Sequence, residues 1–133
     1  LRSEPLWLPP GQLIRLNQRL VAITGEPFLV TDYGLLESAW ARQINAWHYG
    51  EDDWAVLAVS LMLGIARNHP FEQGNKRTGF AASVMFLNLN GLDLNTIDSE
   101  AFAETIIAAI ERKIPDEALI RLIGADLIGF TGS

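Results

Sequence analysis

His69, Asn75, Lys76 and Arg77 stand close together in "NHPFEQGNKRTGF", residues 68–80. The stretch is polar, yet the chain enters it from "WAVLAVSLMLGIA" and leaves it through "FAASVMFLNL", both almost wholly apolar. A helix beginning after this loop offers free backbone N–H groups and the positive end of its dipole. A cation in its first turn is therefore unfavourable by about 0.3–1 kcal/mol. Two adjacent cations there, in a chain with a formal net charge of -6, require compensation. A bound anion would supply it, with phosphate oxygens accepting from the N–H groups while Lys76 and Arg77 neutralise the charge. Gly74 lets the backbone curl so that successive amides converge on one oxygen. The pattern is not a Walker A loop, because Asn75 separates Gly74 from Lys76 and a helix precedes instead of a strand.

His69 follows the apolar segment and precedes Pro70, which restricts it to an extended backbone and so fixes where its ring can point. Beside a phosphate pocket an imidazole is placed to act as general base for a hydroxyl nucleophile. The alternative is a cap on the last carbonyls of the preceding helix, and spacing does not choose between them. Phe71 reads as the anchor that fixes the loop to the core. Glu72 and Gln73 could bring one oxygen ligand to a magnesium ion. His48, in "AWHYG", has no Cys, Asp or second His at metal spacing and reads as a surface or capping residue. The four tryptophans fall mainly on helix faces and read as core; Trp7 has no assignment.

The elements that must position these groups are helical. Residues 11–24 follow a double proline, carry Leu13, Leu16, Leu20 and Ile23 at helical spacing, and stop at Gly25. Phe28, Leu29, Val30 and Thr31 form a short β-prone piece before the turn signal at 32–34, which predicts an exposed flap or hairpin. Residues 35–47 place Leu36, Trp40, Ile44 and Trp47 on one face. "GEDD" at 50–53 then supplies carboxylates for the next helix N-terminus. Residues 54–67 are apolar all round, which predicts a fully buried central helix. Helices are also predicted over 78–89, stopped by "NG", over 99–113 with Phe102, Ile106 and Ile110, and over 116–128 with Leu119, Leu122, Ile123 and Leu127. The expected architecture is an all-α, compact bundle around the central helix with a small β-hairpin flap.

With 133 residues the chain suits one domain, spanning 1–133, and its prolines and glycines fall at segment junctions with no linker or repeat. The acidic balance argues against nucleic acid as a partner, since phosphate-backbone binding needs a broad basic surface. The absence of cysteine excludes disulfides and thiolate metal sites and suits a reducing compartment. The start "LRSEPLWLPP" lacks a signal-peptide core, and no apolar run is long enough to span a bilayer. The expected setting is cytoplasmic, away from any membrane.

His69, Pro70, Phe71, Glu72, Gln73, Gly74, Asn75, Lys76 and Arg77 resemble the Fic/Doc signature H-x-F-x-[D/E]-[G/A]-N-[G/K]-R. "TDYGLLESAWAR" at 31–42 and "FLNLNGL" at 86–92 extend the likeness over roughly residues 10–95, and the type resembled is death-on-curing (Doc). The resemblance implies a helical bundle with a hairpin flap over the active site and ATP with magnesium as donor. His69 would be the base, the loop amides with Gly74, Asn75 and Lys76 would hold the phosphates, and Arg77 would neutralise transition-state charge. The flap at Phe28 to Thr31 would align the target by strand addition.

Members of the family that transfer AMP usually carry Gly where Lys76 stands, and a second Arg where Phe80 stands. The Lys and the missing Arg resemble the Doc type, which moves the γ-phosphate of ATP to elongation factor Tu and halts translation. Gln73 takes the place of the family's metal-binding acid and offers a magnesium ion only a weak carbonyl ligand. An AMP transferase, or an impaired nucleotide- or partner-binding module, is the alternative expectation. The family's inhibitory Ser/Thr-x-x-x-Glu-Gly/Asn motif is missed at Thr96 to Glu100, where Ala101 follows. Restraint is therefore expected in trans, from an antitoxin that supplies the inhibitory helix.

Overall fold

The computed structural model describes residues 2–96 and 99–129. Helices α1 (Pro10–Thr24), α2 (Tyr33–His48), α3 (Trp54–Asn68), α4 (Asn75–Leu89), α5 (Glu100–Ile110) and α6 (Asp116–Asp126) make an all-α bundle, with two short strands, β1 (Leu92–Leu94) and β2 (Leu127–Gly129).

The central element is α3, as its all-round apolar sequence predicts: Leu57, Ala58, Leu61, Met62 and Ile65 are buried on successive faces. It starts where Asp53 accepts from the N–H of Ala55 at 2.8 Å, so one carboxylate of "GEDD" does cap the helix. Small residues set its neighbours' distance. A β-carbon on Gly79 of α4 would lie 2.6 Å from the Met62 carbonyl oxygen, and one on Gly64 would lie 2.9 Å from the Ala39 β-carbon of α2. Both contacts admit only hydrogen, which is how α2 and α4 come to flank α3 so closely.

Three expectations about the elements need correction. The buried stripe of α1 is Leu13, Asn17 and Val21, and Ile23 is 80% exposed. Residues 127–129 leave the helical path of α6 and pair antiparallel with 92–94, Leu94 opposite Leu127. The β structure at the flap is also simpler than a hairpin. Val30 makes a single antiparallel bridge to Phe71, with Thr31 N–H donating to the Pro70 carbonyl at 2.9 Å and Glu72 N–H to the Leu29 carbonyl at 3.0 Å. The extended segment has the motif loop itself as its partner, which satisfies the amides a second flap strand would have taken.

Trp7 packs on the bundle: it stacks on Phe86 at 5.8 Å and meets Trp47 edge-on at 6.4 Å. Arg2 lies over the Trp47 ring and donates to the carbonyls of Trp47 and Glu51. Residues 130–133 lie outside the described residues. Among the described residues no helix is long and apolar enough to cross a membrane.

Candidate active site

The motif loop runs from the end of α3 to the start of α4, and its turn is closed by Asn75. That side chain is buried, accepts from the Phe71 N–H at 3.0 Å and donates to the Phe71 carbonyl at 2.8 Å. Phe71, 2% exposed, fixes the loop to the core. The amide oxygen and one of the two Nδ2 hydrogens of Asn75 are thus engaged with the loop.

His69 adopts φ 53 and ψ 55, in the left-handed region, where Pro70 led to the expectation of an extended backbone. The reason is the termination of α3, which turns through its C-cap in the conformation glycine usually supplies. A side-chain-bearing residue there costs about 1–3 kcal/mol unless its surroundings fix it. The fixing contacts come from the flap segment: Thr31 Oγ1 donates to the His69 carbonyl at 3.2 Å, and the amides of Thr31 and Asp32 donate to that of Pro70. The exposed ring has Nδ1 3.4 Å from Asn75 Nδ2, a weak contact at that length that does not tie it to one tautomer.

Helix α4 begins on Gly74, at φ 75, with no side-chain cap and no acid in its first turn. Its first helical bond is Thr78 N–H to the Gly74 carbonyl, 2.8 Å, so the amides of residues 75–77 have no intrahelical acceptor. Asn17 braces this turn from α1. Fully buried, it donates through Nδ2 to the Gln73 carbonyl at 2.8 Å and to Thr78 Oγ1 at 3.0 Å. A β-carbon on Gly74 would press against Val21 and Asn17, 3.2 and 3.3 Å away.

The two cations that lacked visible compensation in the sequence each meet a carboxylate from elsewhere in the fold. Lys76 Nζ lies 3.3 Å from Glu111, just past α5, and Arg77 bonds Glu26 and Thr24 at the end of α1. Hydrogen bonds hold both acids below the usual carboxylate range, chiefly from Thr24 and then Arg77 for Glu26, and from Lys113 and then Lys76 for Glu111. These pairs are solvent-exposed and contribute little to stability.

His69, Glu72, Gln73 and the start of α4 line a cleft of about 570 Å³. Its opposite wall is apolar, made by Phe80 with Phe102, Ile106, Ile107 and Ile110 of α5. Glu72 lines the cleft beside Gln73 and is the one carboxylate to do so among the described residues. Among the described residues no group of three His, Cys, Asp or Glu side chains gathers as a metal cage. Magnesium usually binds through one or two carboxylates plus substrate phosphates, so Glu72 fits the ion and Gln73 could add only an amide oxygen. His48 is exposed at the end of α2, as expected.

The sequence model of the Fic/DOC family matches residues 7–87, the span that builds α1 to α4 and the motif loop. The chain belongs to the Fic/DOC family. It is also 37% identical over 116 residues to the protein named Toxin Doc of Mycolicibacterium smegmatis, with 85% of each chain covered. The Fic/DOC match stops before α5, which nevertheless supplies most of the apolar wall and, just beyond it, Glu111. Asn17, Glu26, Glu111 and this wall are the site components that sequence reasoning missed. The one signal for the wall was an α5 sequence too apolar for a half-exposed helix, which leaves Ile107 44% exposed.

Proposed function

We propose that this Fic/DOC chain is a Doc-like toxin that transfers the γ-phosphate of ATP to a hydroxyl of a cytosolic protein and thereby inhibits translation. By resemblance the target is elongation factor Tu, and the restraint is an antitoxin whose helix packs on this domain. The observation that carries the reading is the placement of His69 in the same cleft as an uncapped helix N-terminus flanked by Lys76 and Arg77. The apolar wall suits a nucleobase, and the amides of residues 75–77 suit the phosphates.

In the reaction the target hydroxyl oxygen forms a bond to the γ-phosphorus while the bond from that phosphorus to the β,γ-bridging oxygen breaks, releasing ADP. His69 accepts the hydroxyl proton. Arg77, once exchanged from Glu26 to phosphate, offsets the charge on the transferring group. Glu72, with the amide oxygen of Gln73, would hold a magnesium ion, which screens the phosphates when bound. The flap residues Phe28 to Thr31 would seat the target segment, and the protein would act in the cytoplasm.

A second reading rests on Gln73: a non-catalytic nucleotide-binding module, which predicts ATP binding without transfer and no rescue by Gln73→Asp. AMP transfer is the third, and Phe80→Arg should raise activity if a missing arginine is what limits it. A paired labelling assay separates all three, using purified protein, magnesium, bacterial lysate and ATP labelled at the α- or the γ-phosphate. Label from γ alone, lost in His69→Ala, is the expected result. Label from α overturns phosphotransfer in favour of AMP transfer. No His69-dependent label from folded protein leaves the binding module.

A further inference from the structure

Beside the main cleft lies a smaller depression of about 340 Å³, lined by Ala66, Arg67, His69, Lys76, Glu111 and Arg112 among others. His69, Lys76 and Ile110 line both spaces, so they adjoin at the imidazole. Among the described residues only two that are not glycine have positive φ, His69 at 53 and Arg112 at 62. They are 43 positions apart, and both line this depression.

Arg112 follows α5, where Lys113 N–H returns to the Ala108 carbonyl at 2.8 Å. That turn commonly takes glycine. A cation near a helix C-terminus is favourable, which accounts for the charge but not for a branched side chain in the left-handed region. Its acidic neighbours are already engaged. Glu111 pairs with Lys76 and Lys113, and Asp116 with Arg67 at 2.8 Å. Among the described residues Arg112 itself makes no salt bridge and no side-chain hydrogen bond. It is thus the cation of the depression without a bonded carboxylate, next to the imidazole where a transferred group must arrive.

We infer that Arg112 binds the terminal phosphate of a nucleoside triphosphate whose remaining phosphates lie on the amides of residues 75–77. The inference rests on the nucleotide reading of the cleft. Lys76 and Arg77 each have a bonded carboxylate to displace before they meet phosphate, whereas Arg112 bonds none and Asp116, whose charge it feels, is held by Arg67. The Glu111–Lys76 bond ties the turn that carries Arg112 to the motif loop, and Arg112 lines the depression that adjoins the cleft.

The test is calorimetric binding of ATP and of AMP to the wild-type chain, Arg112→Gly and Arg112→Lys, with magnesium present and no acceptor protein. Arg112→Gly also relieves the positive φ, so a thermal midpoint at or above that of the wild type is expected. Its ATP affinity should fall about tenfold with AMP affinity unchanged, and Arg112→Lys should recover most of the loss. Equal ATP affinity in wild type and Arg112→Gly overturns the role of Arg112 while leaving the nucleotide reading intact. An equal fall for ATP and AMP overturns the assignment to the terminal phosphate. Failure of the wild type to bind either nucleotide overturns the nucleotide reading, and this inference with it.

Discussion

Asn75 grips the main chain of Phe71 from both sides, with its amide oxygen 3.0 Å from the Phe71 nitrogen and its amide nitrogen 2.8 Å from the Phe71 oxygen. The two bonds close the loop just ahead of the α4 amides of residues 75–77, which have no intrahelical acceptor. Asn75→Ala strands both Phe71 groups in the interior and should destabilise by about 1–3 kcal/mol per unsatisfied group. Asn75→Asp keeps the acceptor but loses the donor, and should fall between wild type and alanine. Denaturant midpoints measured on the three proteins check the order.

The sequence marked this loop as a candidate anion site, and it located the buried helix that ends in it. Asn17 was not visible in the same way. The apolar positions of α1 suggested a stripe through Leu13, Leu16, Leu20 and Ile23, whereas the helix buries Leu13 together with Asn17 and Val21. A polar residue on a buried stripe reads as a solvent position until its partners are known, and these are 56 and 61 positions away. Glu26 and Glu111 escaped for the same reason, since pairing between elements leaves no periodic trace. Strands β1 and β2, three residues each, are too short for alternation to register, which is why 127 and 128 read as helix.

Asn17 has one further property: its Oδ1 is buried without a hydrogen-bond partner. Its Nδ2 contacts hold the Gln73–Gly74 turn, so Asn17→Ala should lower stability by about 1–3 kcal/mol and weaken ATP binding without removing any group that touches nucleotide. Asn17→Asp retains the oxygen, loses the donor to Gln73, and should weaken binding at least as much. Thermal midpoints and ATP calorimetry on the same samples decide; unchanged binding in a destabilised Asn17→Ala protein would separate the brace from the site.

A pH dependence follows from Arg67, whose guanidinium lies 2.8 Å from Asp116 and also donates to the carbonyls of Ala109 and Ile110 at the end of α5. The hydrogen bond from Arg67 is the main cause that holds the Asp116 carboxyl below its ordinary value of 3.8. A depressed carboxylate stabilises the fold above its unfolded-state value, and that contribution is lost as pH falls through the lower, folded-state value. The wild type should therefore be more stable than Asp116→Asn at neutral pH. The gap should close below about pH 3.8, as read from urea midpoints along a pH series. A gap that persists unchanged in acid would assign it to packing instead of charge.

Glu26 stands at the opposite edge of the site and makes the most direct demand on nucleotide binding. Its carboxylate, supported by Thr24, takes the guanidinium of Arg77 in the free protein. Phosphate and carboxylate compete for the same planar donor, so a nucleotide that uses Arg77 must first displace Glu26. Both side chains are about a third or more exposed, which keeps the pair weak and its exchange feasible. Glu26→Gln removes the competing charge while preserving shape, and should tighten ATP binding several-fold, most at low salt, where screening is least. Glu26→Asp shortens the reach and should act in the same direction, less strongly. Calorimetry at two ionic strengths reads the result directly. Weaker binding in Glu26→Gln would mean that the carboxylate aims Arg77 at the phosphate instead of competing with it.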